Sequence, residues 1–191
     1  MAKQCILILG GARSGKSRLA KEMALRLGGK VLFVATGEAR DEEMEQRIEK
    51  HKRERPPTWR SAELPTDVGR RLRREIGNAQ VVIVDCLTLL VSNIIGRCGD
   101  DPEQVSAELV EARLTAEIDE LTGCIDGSAA TFILVSNEVG MGLVPENRVG
   151  RLYRDLLGKV NQTIARRADR VYFMLSGVPL NLKGGDCQNE R

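Results

Sequence analysis

The chain has few aromatic residues. One Trp, two Tyr and three Phe make up 3% of its 191 residues. A chain of this length must then build its core from aliphatic side chains. So few rings also argue against a stacking platform for single-stranded nucleic acid. Charge of one sign is missing as well: 29 basic and 27 acidic residues leave +2, without the polycationic balance of a dedicated nucleic-acid binder. No apolar run approaches the roughly 20 residues that cross a bilayer. The N-terminal "CILIL" (Cys5–Leu9) is too short for a signal peptide and runs directly into "GGARSGKS", so a soluble, cytoplasmic protein is expected. The five cysteines (Cys5, Cys86, Cys98, Cys124, Cys187) are odd in number, dispersed and never C-x-x-C. Neither a disulfide framework nor a zinc site uses such spacing, which leaves reduced thiols as the expectation. There is a single histidine, His51.

What is present is alternation. Short runs rich in Val, Ile and Leu alternate with helical periodicities, the pattern of a parallel sheet covered on both faces. The expected strands are Cys5–Leu9, Val31–Ala35, Val81–Asp85, Thr131–Ser136 and Arg170–Leu175, with a short extra strand near Leu180–Leu182. The expected helices are Ser17–Leu27, Glu42–Arg53, one carrying Val68, Leu72 and Ile76 behind Thr66 as N-cap, Leu87–Ile95, Pro102–Leu121 and Arg148–Ala168. The whole reads as α/β with one domain over residues 1–183. "GRCGDD" (Gly96–Asp101) is expected to be a loop and residues 184–191 a disordered tail.

The first strand leads into G-x-x-x-x-G-K-S, Gly10 to Ser17, and then into a helix. The motif has a mechanism. Its glycines let several backbone N–H groups face one concavity, Lys16 reaches the β- and γ-phosphates, Ser17 ligates Mg²⁺, and the helix N-terminus adds positive potential. A partner carboxylate should close another buried strand, and "QVVIVDC" supplies Asp85. That aspartate suits the shell of a bound Mg²⁺; capping the following helix is its other reading. These residues indicate a P-loop nucleotide-binding protein without specifying a reaction.

His51 sits in "RIEKHKRERPPTW" among Lys50, Lys52, Arg53 and Arg55, with Glu54 as the nearby offset. Met44, Ile48 and His51 fall at i, i+4 and i+7, which puts the imidazole on the inward face of its helix. The cations around it favour the uncharged, nucleophilic ring and would offset phosphate charge during an attack. The competing reading is a half-buried histidine with a packing role. Asn137 and Glu138 end the fourth strand, where open parallel sheets present ligand-contacting groups. They would either position a substrate or cap the turn before Gly140. "GMGLVP" reads as a loop offering Met141 and Leu143 as apolar contacts. Trp59 is expected in the core.

Several segments together resemble one family. They are "GGARSGKSR" (10–18), "VATGEARDEEMEQRIEKHKRERP" (34–56), "TWRSAE" (58–63), "VDCLTLLVSN" (84–93), "SNEVGMGLVPENRVGRLYRDLLGKVNQTIARRAD" (136–169) and "SG" (176–177). The resemblance is to the bifunctional adenosylcobinamide kinase/adenosylcobinamide-phosphate guanylyltransferases of cobalamin assembly, over residues 5 to about 183. It implies a P-loop NTPase fold of RecA-like topology, ATP and GTP as substrates with Mg²⁺, and adenosylcobinamide and its phosphate as the other partners. It also implies a homotrimer. By resemblance His51 is the histidine that becomes guanylylated, with Lys16 the catalytic lysine. Nucleotide contacts are implied at Gly10, Gly11, Ala12, Arg13, Ser14, Gly15, Lys16 and Ser17, at Ala35, Thr36 and Gly37, at Lys52, Arg53, Glu54 and Arg55, and at Glu63 and Asp85. Ser17 and Asp85 are the implied metal ligands. Two other readings remain: a small-molecule P-loop kinase without nucleotidyl transfer, and a RecA-like ATPase module.

Overall fold

The computed structural model describes residues 3–39, 41–99, 101 and 104–185, with the backbone alone at Arg47. Among these residues seven strands form one sheet in the order β3-β2-β4-β5-β1-β6-β7. They are β1 (Cys5–Gly10), β2 (Val31–Ala35), β3 (Arg60–Glu63), β4 (Val81–Asp85), β5 (Thr131–Val135), β6 (Arg170–Leu175) and β7 (Val178–Lys183). All neighbours pair in parallel except β6 and β7, which form an antiparallel hairpin. The P-loop strand β1 and the Asp85 strand β4 are separated by β5 alone, the RecA-like order.

The helices are α1 (Lys16–Leu27), α2 (Glu42–Arg53), α3 (Val68–Glu75), α4 (Leu87–Gly96), α5 (Ala107–Gly127) and α6 (Arg148–Arg167). They cover the two faces unequally. Leu7, Leu32, Val34, Val82, Val84, Phe132 and Leu134 face a large core shared with α3, α4, α5 and α6. Ile6, Ile8, Phe33, Ile83, Ile133 and Val135 face a smaller one in which α1 supplies Ala20 and Ala24. Strands buried on both sides have no polar face to show. Removing each such Leu or Ile from water contributes about 1.5–3 kcal/mol.

Several local expectations are corrected. Thr66 does not cap α3; Asp67 occupies that position and its own side chain makes no capping bond. The carboxylate of Glu117 on α5 does so instead, accepting from Val68 N at 2.6 Å and Asp67 N at 2.8 Å. Helix α5 starts at Ala107 behind Ser106, whose hydroxyl accepts from Leu109 N; the expected start at Pro102 lies outside the described residues. Leu109, expected on the inner face, is exposed. Of the expected tail, residues 186–191 lie outside the described residues, and so does Asp100 of the expected loop.

Candidate active site

The P-loop leaves β1 at Gly10, whose φ of 148° lies where only glycine is relaxed. A Cβ there would stand 2.5 Å from Met174 O. Gly15, at φ 98°, turns the chain into α1. Lys16 is buried, and its Nζ donates to Gly11 O at 2.6 Å, leaving further N–H groups on the ammonium. Burial lowers the Lys16 pKa, opposed by Cys86 and by the Asp85 carboxylate. Ser14 Oγ is buried without a hydrogen-bond partner among the described residues, an uncommon state for a hydroxyl and one that a phosphate oxygen would relieve. The turn between β6 and β7 supports the loop from behind, where Gly177 N donates to Ser14 O at 3.0 Å.

Asp85 ends β4 level with Ala35 on β2 and Val135 on β5. Thr36, just past β2, is fully buried and braces this corner. Its Oγ1 donates to Cys86 O at 2.7 Å and accepts from Cys86 N at 2.9 Å, while its own N–H donates to Asp85 O at 3.2 Å. Asn93 Nδ2 completes the brace by donating to Thr36 O at 2.7 Å and Pro65 O at 3.0 Å. The resemblance implies a nucleotide contact at Thr36, whose hydroxyl, amide and carbonyl bond inside the protein.

The implied cation ligands come from the P-loop helix and the end of β4. Among the described residues no cluster of three or more His, Cys, Asp or Glu side chains could hold a metal. The donor set is one hydroxyl, Ser17, and one carboxylate, Asp85. That set suits Mg²⁺, which is commonly held by one or two carboxylates together with substrate phosphates.

Helix α2 differs from expectation. Met44 and Ile48 are only half-buried and His51 is exposed, so the imidazole does not lie on a buried face. Asp41 caps the helix start, its Oδ1 accepting from Met44 N at 2.7 Å, but the contacts that seat its last turn come from charged side chains. Glu54 meets Lys21 of α1 at 3.3 Å, and that bond holds the Glu54 carboxyl below its usual range. Lys52 pairs with Glu63 at the end of β3 at 2.8 Å and with Glu49 at 3.1 Å, and these bonds raise its pKa. The Arg55 guanidinium lies 4.2 Å from the centre of the Phe33 ring, with its Nε buried and unpartnered among the described residues. Burial lowers the Arg55 pKa, against the carboxylates of Glu63, Asp85 and Glu49. Arg53 and His51 remain exposed at the end of the helix.

The structure therefore gathers the P-loop, the Ala35–Gly37 strand end, Asp85, Glu63 and the α2 terminus at the carboxyl edge of the sheet, where open parallel sheets bind ligands. The sequence reading missed the ties themselves: Lys21 to Glu54, the Arg55 stack, and the Thr36–Asn93 brace. The Glu54 and Lys21 partners are 33 residues apart, beyond any local periodicity.

Comparison with known proteins places the chain among relatives. The sequence model of the cobinamide kinase / cobinamide phosphate guanyltransferase family matches residues 6–182. The chain belongs to that family. The bifunctional adenosylcobalamin biosynthesis protein CobP of Pseudomonas aeruginosa is 43% identical over 178 residues, covering 93% of this chain and 96% of its own. The proteins named CobU, with the same description, from Escherichia coli K12 and Salmonella typhimurium LT2 are each 39% identical over 180 residues, 93% of this chain and 99% of theirs. Like other members of the cobinamide kinase / guanyltransferase family, the chain is an α/β P-loop protein. Among its described residues no helix is long and apolar enough to cross a membrane.

Proposed function

We propose that this chain, a single cytoplasmic domain over residues 1–183 followed by a tail at 184–191, performs two transfers at one nucleotide shelf. First it phosphorylates the aminopropanol hydroxyl of adenosylcobinamide with ATP or GTP. Then it moves GMP from GTP to adenosylcobinamide phosphate, giving adenosylcobinamide-GDP. Adenosylcobinamide as substrate and a homotrimeric assembly come from the family resemblance. The observation that carries the reading is the tie between Glu54 and Lys21. It fastens the helix bearing the one histidine to the helix that begins with the P-loop lysine.

In the kinase step the amides of Gly10 to Ser17 and the Lys16 ammonium hold the phosphate oxygens, and the acceptor hydroxyl displaces the nucleoside diphosphate. Mg²⁺, held by Ser17 and Asp85, supplies positive charge at the phosphates when bound. In the second reaction an unprotonated ring nitrogen of His51 attacks the α-phosphorus of GTP. An N–P bond forms, the bond to the α–β bridging oxygen breaks, and pyrophosphate leaves with the electron pair. A phosphate oxygen of adenosylcobinamide phosphate then attacks the same phosphorus, the N–P bond breaks, and the imidazole is restored. Dividing the transfer replaces one encounter of two polyanions with two easier ones.

The exposure of His51 is compatible with this chemistry. Exposed ion pairs such as those seating α2 contribute about 0.2–1 kcal/mol each, so re-seating its last turn against a nucleotide costs little. Lys52, Arg53 and Arg55 would offset phosphate charge there, and Glu63 would accept hydrogen bonds from the guanine edge or ribose. The corrinoid has an apolar surface available at Met141 and Leu143, which are 82% and 97% exposed.

Labelled GTP tests the proposal. Label at the α-phosphate should remain on the denatured protein, acid-labile and base-stable, whereas label at the γ-phosphate should not. His51→Ala should abolish the retention. Absence of label from the wild type would leave a plain kinase or an ATPase.

A further inference from the structure

Strand β5 runs between the two elements that define the phosphate site, β1 with its P-loop and β4 with Asp85. Val135 is level with Ile8 on one side and with Asp85 on the other. Beyond the strand the chain stays tied to β1, Ser136 N donating to Ile8 O at 3.0 Å and Glu138 N to Gly10 O at 3.1 Å. Asn137 lies between those two ties, next to the first residue of the P-loop.

Its main chain is held from both sides by buried polar groups. Asn137 N donates to Thr88 Oγ1 at 2.8 Å, and Asn161 Nδ2 on α6 donates to Asn137 O at 3.0 Å. Asn161 Oδ1 in turn accepts from Ser136 Oγ at 2.7 Å. Thr88 and Asn161 are each 6% exposed and Ser136 is fully buried. Such a network in an aliphatic core is costly unless every member is paired, and when paired it fixes geometry. The structure also separates the two residues that the sequence left equivalent. Glu138 Oε1 accepts from Gly140 N at 2.6 Å and so caps the turn. The side-chain amide of Asn137 forms no hydrogen bond among the described residues although the residue is half-buried. It thus keeps two N–H donors and an acceptor for a group outside the chain.

We propose that Asn137 is a catalytic residue of phosphoryl transfer, its Nδ2 donating to an oxygen of the transferring γ-phosphoryl group. Asn161 is the positioning residue that sets the Asn137 backbone through its carbonyl. The proposal rests on the kinase reading. In that step the acceptor hydroxyl oxygen bonds to the γ-phosphorus, the bond to the β–γ bridging oxygen breaks, and the hydroxyl proton is released. Asn137 exchanges neither proton nor electron pair; it stabilises charge on the equatorial oxygens. A preorganised donor of this kind is effective because it costs no reorganisation as charge develops.

The test compares wild type, Asn137→Ala and Asn161→Ala in binding of ADP alone and of ADP with aluminium fluoride, a mimic of the transferring phosphoryl group, both with Mg²⁺. Steady-state phosphorylation of adenosylcobinamide is measured alongside. Asn137→Ala should weaken binding of the fluoride complex, and lower kcat, by about 10²- to 10³-fold, with ADP affinity and nucleotide KM unchanged. Asn161→Ala should lower kcat in the same direction by a smaller factor, again without a KM change. Equal loss for both ligands, or no loss for either, overturns the role of Asn137. Reduced thermal stability with wild-type kcat overturns the positioning role of Asn161. A wild type that binds the fluoride complex yet fails to phosphorylate adenosylcobinamide removes the kinase reading, while the binding ratio still judges Asn137.

Discussion

Thr36→Val removes one oxygen from the brace beneath Asp85 and keeps the shape. The Thr36 hydroxyl serves both polar groups of Cys86, accepting from its N–H at 2.9 Å and donating to its carbonyl at 2.7 Å. No water reaches the site, because Thr36 is 0% exposed. Thr36→Val leaves the Cys86 N–H without a partner, at about 1–3 kcal/mol, and takes one bond from the Cys86 carbonyl, which still accepts from Leu90 N at 3.3 Å, at about 0.5–1.5 kcal/mol, so the change should cost roughly 1.5–4.5 kcal/mol. That is a large share of the 5–15 kcal/mol or so that stabilises an ordinary domain. Thr36→Ser keeps both bonds and gives up one methyl group, about 1 kcal/mol. Urea unfolding of the three proteins measures the difference, with the slope on denaturant confirming comparable unfolding. A second readout follows from the position of the brace: the Mg²⁺ concentration giving half-maximal activity should rise for Val and not for Ser, because the Asp85 carbonyl accepts from Thr36 N–H at this corner. Equal stability of the Val and Ser variants would refute the reasoning. Lost nucleotide affinity in Thr36→Val with unchanged stability would instead put the hydroxyl on the nucleotide.

Four further outcomes are expected. Lys16→Met should lower kinase turnover by about 10²- to 10³-fold, the usual cost of one preorganised donor. Because burial lowers the Lys16 pKa, the native state releases that proton before the unfolded state does; wild type should therefore gain stability relative to Lys16→Met as pH rises from the lowered value toward 10.5, read by urea unfolding at stepped alkaline pH. Cys5 shows the opposite sign: burial, with Asp169 and Asp126 nearby, pushes its thiol up to about 11 from 9.0. Its stabilising contribution is complete below pH 9 and is lost as pH rises toward 11, so Cys5→Ala should flatten the decline in that window. Glu117→Ala should cost about 1–3 kcal/mol, for the part-buried Val68 N–H it uncovers at the start of α3, measured by urea unfolding, and Glu117→Asp should fail to restore it because the shorter carboxylate falls short of Val68.

The buried strands were legible in the sequence because a strand covered on both faces is a continuous aliphatic run, and those runs end where the structure ends them, at Ala35, Asp85 and Leu175. Strand β3, "RSAE", was not. It is an edge strand with three exposed residues out of four, held in the sheet by backbone pairing to β2 rather than by an apolar pattern. The hairpin strand β7 showed only its centre, although Ser176 and Gly177 at φ 50° and 87° form the left-handed pair that a two-residue hairpin turn requires. The P-loop and Asp85 were legible because motif and strand context coincide. His51 was assigned to an inward face from a stripe of three residues. Such a stripe gives a direction around a helix but not the depth of its contact, and Met44 and Ile48 are only half-buried while His51 is exposed. The roles of Asn137 and Glu138 separated only when the partners on α4 and α6 were visible, since those partners lie 24 and 49 residues away.

The most direct measurement of the central claim is mass spectrometry of the protein after incubation with GTP and Mg²⁺, digested at alkaline pH where a phosphoramidate survives. The account predicts a GMP adduct on the peptide containing His51, discharged when adenosylcobinamide phosphate is added. An adduct on another residue, or an unmodified His51 peptide in a protein that still forms adenosylcobinamide-GDP, would contradict it.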